Sequence, residues 1–417
     1  MAFMIPTGLS SSLKDDGEFK LVARDWTGGF RFLIGEDEKI EVAIENGVPT
    51  DGEVLAGDII TIRGPVEIWG ALLQTQPPRF LNDLAVALQM GLQREGNDIF
   101  FTQYYPALAR AVEIIRGTNP DQVQTISTHP SGGTIEAPVG RYVNLDLCGD
   151  SYRVYFEEAG TGIPILLQHT AGSHGIQWRH LLSCTSITDR FRLIAYDLPF
   201  HGKSVPPTGR HWWSEPYRLR GEFLRSIPLA FSDTMALERP VFMGCSVGGA
   251  LALDLAARHA ERFRAVISVE GGLKMDGDLA DPEARAFFHP QVSNQYKGRL
   301  MHGLTSPTAP EAYRQETIQT YMSGWPQSFI GDLEYYLNEY DLRELAATID
   351  TKAVAVHIMN GEYDYSGSWE KGEEAHHAIR GSTWTRMDGM GHFPMCEDPD
   401  RFIQYLMPIL AKIEAAA

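Results

Sequence analysis

Three side chains far apart in the chain have the chemistry to break an acyl bond: a serine hydroxyl, a carboxylate and an imidazole. The run Met243-Gly244-Cys245-Ser246-Val247-Gly248-Gly249-Ala250 carries G-x-S-x-G between an apolar strand-like stretch and a helical one. Such a strand-to-helix turn is tight, so glycines at 244 and 248 remove side chains that would collide and Ser246 projects at the helix N-terminus. The free N–H groups there carry partial positive charge, so the Val247 amide can stabilise an oxyanion formed when Ser246 attacks a carbonyl.

A serine is a weak nucleophile without a base, and the base needs an acid to orient it. After the apolar run Val354–Met359 comes Asn360-Gly361-Glu362-Tyr363-Asp364, a turn in which Asp364 is the expected acid and Glu362 the alternative. Met387-Asp388-Gly389-Met390-Gly391-His392-Phe393-Pro394 then places His392 in a glycine-rich loop past the last strand. Asp388 reads as a solvated turn residue and Cys245 as inert filler beside the nucleophile.

With Ser246, Asp364 and His392 in this order, residues 142 to about 412 resemble the α/β-hydrolase fold. Asp197-Leu198-Pro199-Phe200-His201-Gly202-Lys203-Ser204 is similar to that family's D-x-x-x-x-G-x-S turn, and Gln168-His169-Thr170-Ala171-Gly172-Ser173 stands where its oxyanion loop lies. Thr170 replaces a usual glycine, which leaves either Ala171 or Thr170 as the second oxyanion donor beside Val247; Ala171 is the favoured one. His169 either lines the pocket or holds this turn by hydrogen bonding. The resemblance implies a serine hydrolase, foremost a carboxylesterase acting on a small to medium lipophilic ester or lactone. Carbon–carbon bond hydrolases and acyltransferases share the triad. A serine at 246 argues against dehalogenase and epoxide-hydrolase chemistry, which in this fold begins from a carboxylate. A catalytically silent lipid-binding or scaffold protein is the alternative of another class.

Short apolar runs must form the sheet that positions these groups: Tyr142–Leu147 and Tyr152–Phe156 as a hairpin, then Ile165–Gln168, Phe191–Tyr196, Val241–Met243, Phe263–Val269, Val354–Met359 and Thr383–Arg386. With helical stretches between them they predict a mostly parallel sheet flanked by helices, in a catalytic domain spanning 140–417. Residues 271–350 are too long for a simple connection and predict a helical lid. Its Trp325, with Trp212 and Trp213 from an earlier loop, is a candidate pocket residue alongside His169.

Ahead of a Gly/Pro/Ser/Thr-rich linker at 121–139, residues 1–120 read as a small α+β module. Phe19–Ala23, Phe30–Ile34 and Lys39–Ile44 are its expected strands. Helical faces follow at Leu81, Leu84, Ala85, Leu88 and Leu92, and again at Leu108, Ala109, Val112 and Ile115. Its texture, with a Gly57-Asp58 step before Trp69–Leu73, resembles a sterol-carrier lipid-binding domain; a homodimerisation module is the other reading.

Composition bounds these expectations. The 417 residues are 43% hydrophobic and 22% charged, ordinary for a globular chain. Lys and Arg number 36 against 54 Asp and Glu, a net charge of −18 that disfavours nucleic acid and anionic membranes as partners and favours a small lipophilic substrate. Cys148, Cys184, Cys245 and Cys396 form no C-x-x-C pair. With no apolar run long enough to span a bilayer and no secretory leader pattern, a cytoplasmic location is expected. No nucleotide glycine loop or metal-ligand spacing is present, so neither cofactor nor metal is expected.

Overall fold

A computed structural model describes residues 8–52, 58–117 and 133–416. Gly57 and most of the expected linker, 121–132, lie outside the described residues.

The N-terminal part forms a five-stranded sheet from β1 (Gly28–Ile34), β2 (Glu38–Glu45), β3 (Val48–Thr50), β4 (Asp58–Gly64) and β5 (Gln93–Glu95), in the order β3-β2-β1-β4-β5. Alternation turns Phe30, Phe32 and Ile34 of β1 inward, where they meet Trp26, Trp69 and the helix Asp98–Ile115. Phe19–Ala23, expected as a strand, instead lies largely in the helix Gly17–Val22. The Asp16 carboxylate accepts the Phe19 N–H at 2.7 Å, and this N-cap settles a short cluster whose apolar content suits either state. The face expected from Leu81 to Leu92 yields only the short helix Leu84–Gln89, capped by Asp83. The later helix begins before Pro106 and runs through it, started by the Asn97 cap on the Phe100 N–H.

The second sheet has eight strands: β6 (Val139–Leu147), β7 (Asp150–Ala159), β8 (Ile163–Gln168), β9 (Phe191–Tyr196), β10 (Val241–Cys245), β11 (Ala265–Val269), β12 (Ala355–Gly361) and β13 (Thr383–Met387). Their order is β13-β12-β11-β10-β8-β9-β7-β6. Strands β8 to β13 pair in parallel, while the β6–β7 hairpin adds antiparallel strands at one edge. Cys148 and Gly149 both take positive φ in the hairpin turn, the geometry a two-residue connection favours. The central parallel strands are buried on both faces, as their unbroken apolar runs require.

Between β11 and β12 a helical insertion is shared by two cores. Ala286 and Tyr296 join the N-terminal core, whereas Met301, Tyr321, Phe329, Tyr335 and Tyr336 join the core of the larger sheet. An ionic cluster ties the insertion to the N-terminal helix: Glu113 pairs with Arg110 at 2.9 Å and with Arg299 of the insertion, and Arg110 reaches Asp16 at 2.7 Å. Burial would raise the Glu113 carboxyl, but Arg299, His302 and Arg314 around it bring it down to about 2. A carboxylate depressed in the fold stabilises it above the unfolded value near 4.3, and that stabilisation is lost as pH falls towards 2. Glu113→Ala leaves Arg110 and Arg299 without this partner and is expected to cost about 3–5 kcal/mol, read by denaturant unfolding. Below about pH 3 the gap between variant and wild type should narrow as the wild-type carboxylate protonates.

Candidate active site

The nucleophile turn closes where β10 meets the helix Val247–Arg258. Ser246 sits between them at φ 58° and ψ −112°, a conformation side chains avoid. Its N–H donates to Val269 O at 2.9 Å and its carbonyl accepts the Ala250 N–H at 2.8 Å. A Cβ on Gly244 would collide with the Gly248 carbonyl, and one on Gly248 would lie 2.8 Å from Gln168 O, so neither position admits a side chain.

His392 Nδ1 lies 2.8 Å from Asp364 Oδ2. The Cys245 thiol, expected to be mere filler, donates to the His392 carbonyl at 3.2 Å and so ties the residue before Ser246 to the histidine loop. Asp364 is buried, and its two oxygens accept the Ser366 and Gly367 N–H groups at 2.8 and 2.9 Å, a turn in which the carboxylate is held by its own loop. Glu362 points elsewhere: its carboxylate accepts the Gly389 N–H at 2.8 Å and its carbonyl accepts from Arg79 of the N-terminal domain. The Asp388 carbonyl accepts from Tyr405.

At the oxyanion loop the Thr170 N–H is taken by Gln177 Oε1 at 3.0 Å. Among the described residues no acceptor meets the Ala171 N–H, so of the two amides only Ala171 is free to act with Val247, whose N–H belongs to the unsatisfied first turn of its helix. His169 holds the turn by hydrogen bonding. Its Nε2 accepts the Leu198 N–H at 3.0 Å, which fixes the tautomer so that Nδ1 donates to Thr170 O at 2.8 Å. Burial and the neighbouring His201 keep it well below the usual histidine range and thus neutral.

The tryptophans divide differently from expectation. Trp212 and Trp325 line a cavity of about 450 Å³ with Tyr152, Phe200, Tyr217 and Phe223, but neither Ser246 nor His392 reaches its wall. Trp213 is 65% exposed and lies outside that cavity, because its loop runs over the surface. Tyr217 is the link inward: its ring lines the cavity and its hydroxyl donates to Asp332 of the insertion at 3.0 Å.

Three residues at the site escaped the sequence reading. Glu270 directly follows β11 and is buried with both oxygens 2.9 Å from the Gly361 N–H. Burial and the adjacent Asp364 push its carboxyl well above the usual range, so it stays protonated and donates to Asp364, which is held low by His392. Glu397 accepts N–H groups from Gly391 and Phe393, on either side of His392, and burial raises it to about 7. Tyr336, in a π-helical turn of the insertion, is buried, and its hydroxyl approaches Ser366 Oγ, in the acid turn, at 3.4 Å. Its only sequence signal was membership in an aromatic-rich insertion. For Glu270 the legible cue was a carboxylate just past a parallel strand. Among the described residues no cluster of His, Cys, Asp and Glu forms a metal site, and no helix is long and apolar enough to cross a membrane.

This mixed sheet, with the serine turn, acid turn and histidine loop at the carboxyl ends of its strands, defines an α/β-hydrolase. The chain belongs to the alpha/beta hydrolase fold family, which it matches over residues 163–399, and is an enzyme of that class. An uncharacterized protein of Mycobacterium tuberculosis is 26% identical over 298 residues, covering 64% of this chain and 80% of that protein. Haloalkane dehalogenase 2 of the same organism is 31% identical over 116 residues, 28% of this chain and 37% of its own. Among solved structures, a thermophilic esterase from Thermogutta terrifontis superposes with a TM-score of 0.57 at 20% identity, over 66% of this chain and 99% of that one. The enol-lactonase of Burkholderia xenovorans LB400 gives 0.55 at 22%, over 65% and 100%. These two likenesses carry the fold. The sterol-carrier resemblance of the N-terminal domain finds no counterpart among these relatives.

Because a protonated Glu270 both donates to Asp364 and accepts from Gly361, Glu270→Gln should keep kcat/KM within about threefold, since an amide can do both. Glu270→Ala orphans the Gly361 N–H and should lower stability by about 1–3 kcal/mol and depress kcat/KM. Equal losses in the two variants, read by steady-state kinetics and thermal melting, would contradict a neutral Glu270.

Proposed function

We propose that the protein is a serine hydrolase that cleaves a small to medium lipophilic ester or lactone through an acyl-enzyme on Ser246. The observation that carries this reading is the 2.8 Å contact between His392 Nδ1 and Asp364 Oδ2, in a loop bonded to the residue preceding Ser246. His392 Nε2 takes the Ser246 proton as Oγ attacks the carbonyl. The N–H groups of Val247 and Ala171 receive the oxyanion, where preorganised donors in a dry site act most strongly. His392 then protonates the leaving alcohol and activates water to release the acid, while Asp364 holds its tautomer and stabilises the imidazolium.

Ser246 and His392 are each only 5% exposed. The insertion therefore serves as a lid that must shift to admit substrate. Its buttress is the N-terminal domain, docked on it through Arg299 and Tyr296.

A fluorophosphonate probe tests the chemistry. Labelling at Ser246, absent in Ser246→Ala and accompanied by p-nitrophenyl ester turnover, is the expected result; folded wild type that neither labels nor turns over ester supports the silent binder instead. Asp364→Asn should reduce kcat by about 10³–10⁴, whereas Glu362→Gln should leave kcat within a few-fold. The reverse ranking would move the acid to Glu362.

A further inference from the structure

The insertion helix Asn294–Gly303 carries a lysine whose ammonium meets no hydrogen-bond partner among the described residues. Lys297 is 1% exposed, and its Nζ makes no hydrogen bond. Lysine is almost never fully buried unless paired, because three ammonium donors stripped of water are costly to leave unmet. Burial lowers this ammonium to about 8, so it still carries charge at neutral pH.

Two sets of contacts locate it. On its own helix, Met301 lies four residues on and packs in the core of the larger sheet, and Leu304, seven residues on, offers its carbonyl to the His392 N–H at 3.0 Å. Residues at this spacing share one helix face, so Lys297 turns towards the hydrolase sheet, whereas Tyr296 and Arg299 meet the N-terminal domain. On the other side, a Cβ built on Gly324 would lie 3.4 Å from Lys297 Nζ and 2.9 Å from the carbonyl of Gly172, the residue after Ala171. The ammonium thus lies beside the oxyanion loop, close to the carbonyl of Gly172.

The nearest carboxylate whose field it feels, Asp332, is already occupied. Asp332 accepts the Gly172 N–H at 2.8 Å, His201 Nε2 at 2.9 Å and the Tyr217 hydroxyl at 3.0 Å. Asp332 thereby fastens the insertion to the oxyanion loop and leaves the lysine donors unused.

We propose that Lys297 receives a carboxylate carried by the substrate, so that the preferred ester or lactone bears a second, anionic group a few bonds from its scissile carbonyl. This deepens the serine-hydrolase reading and rests on it. The net charge of −18 works against anions at long range, but beyond about 8 Å that field is largely screened at physiological salt. A buried ammonium beside the oxyanion loop acts at contact, where screening is weak.

Matched substrates test it: p-nitrophenyl valerate against mono-p-nitrophenyl glutarate for a carboxylate on the acyl side, and phenyl acetate against 4-carboxyphenyl acetate for one on the alcohol side. Wild type should favour at least one charged member over its neutral partner in kcat/KM, and Lys297→Met should cut that charged-to-neutral ratio at least tenfold. Removing an unpaired buried charge should leave the melting temperature of Lys297→Met equal or higher, which separates lost recognition from lost folding. Fluorophosphonate labelling of the same samples keeps the two readings apart. Labelled wild type without charge preference, or a ratio unchanged in Lys297→Met, overturns the lysine's role alone; folded wild type that does not label overturns both.

Discussion

The backbone at Ser246 is held where a side-chain-bearing residue resists going, and the site is built on that constraint. A φ of 58° with ψ of −112° costs on the order of 1–3 kcal/mol and persists only when its surroundings over-determine it. They do so here through β11, whose Val269 carbonyl takes the Ser246 N–H, and through the helix, whose Ala250 N–H takes the Ser246 carbonyl. The bareness of Gly244 and Gly248 lets the helix start against the strands without a gap. Relaxing the turn would withdraw the hydroxyl and swing the Val247 N–H away together, because Val247 directly follows Ser246.

Around His392 the fold buries three carboxyl groups and gives each a different state. Asp364, facing the imidazole and two loop amides, is the ionised one. Glu270, with only one backbone donor and a carboxylate neighbour, is driven neutral. Glu397 is moved to about 7 by burial, against the pull of the amides flanking His392. Environment rather than residue type sets these roles, since like charges at this proximity cannot all be retained. The histidine is consequently positioned from two directions, through its ring by Asp364 and through its main chain by Glu397 and Leu304.

What the sequence made legible follows from how local each signal is. The serine turn, the Asp364 turn and the His392 loop announce themselves because glycines are needed where chain segments pass too close for side chains, and the parallel strands because apolar runs of four to seven residues must be buried on both faces. Phe19–Ala23 shows the limit: a five-residue apolar cluster fits helix or strand, and Asp16 decided it from outside the cluster. Thr170 could be set aside only when Gln177 was found on its amide. Trp212 and Trp325, expected in the substrate pocket, line a cavity that Ser246 does not reach. Glu270, Tyr336 and Lys297 have no spacing rule, since what distinguishes them is contact across elements far apart in the chain.

The insertion between β11 and β12 has one flank in each hydrophobic core. A shared wall cannot be moved for one room alone. Moving it would tear apolar packing on at least one flank at once, so any such shift should proceed by a jump rather than a glide. Strain in the N-terminal domain, even where it lies far from Ser246, would therefore be passed to the insertion through the core they share.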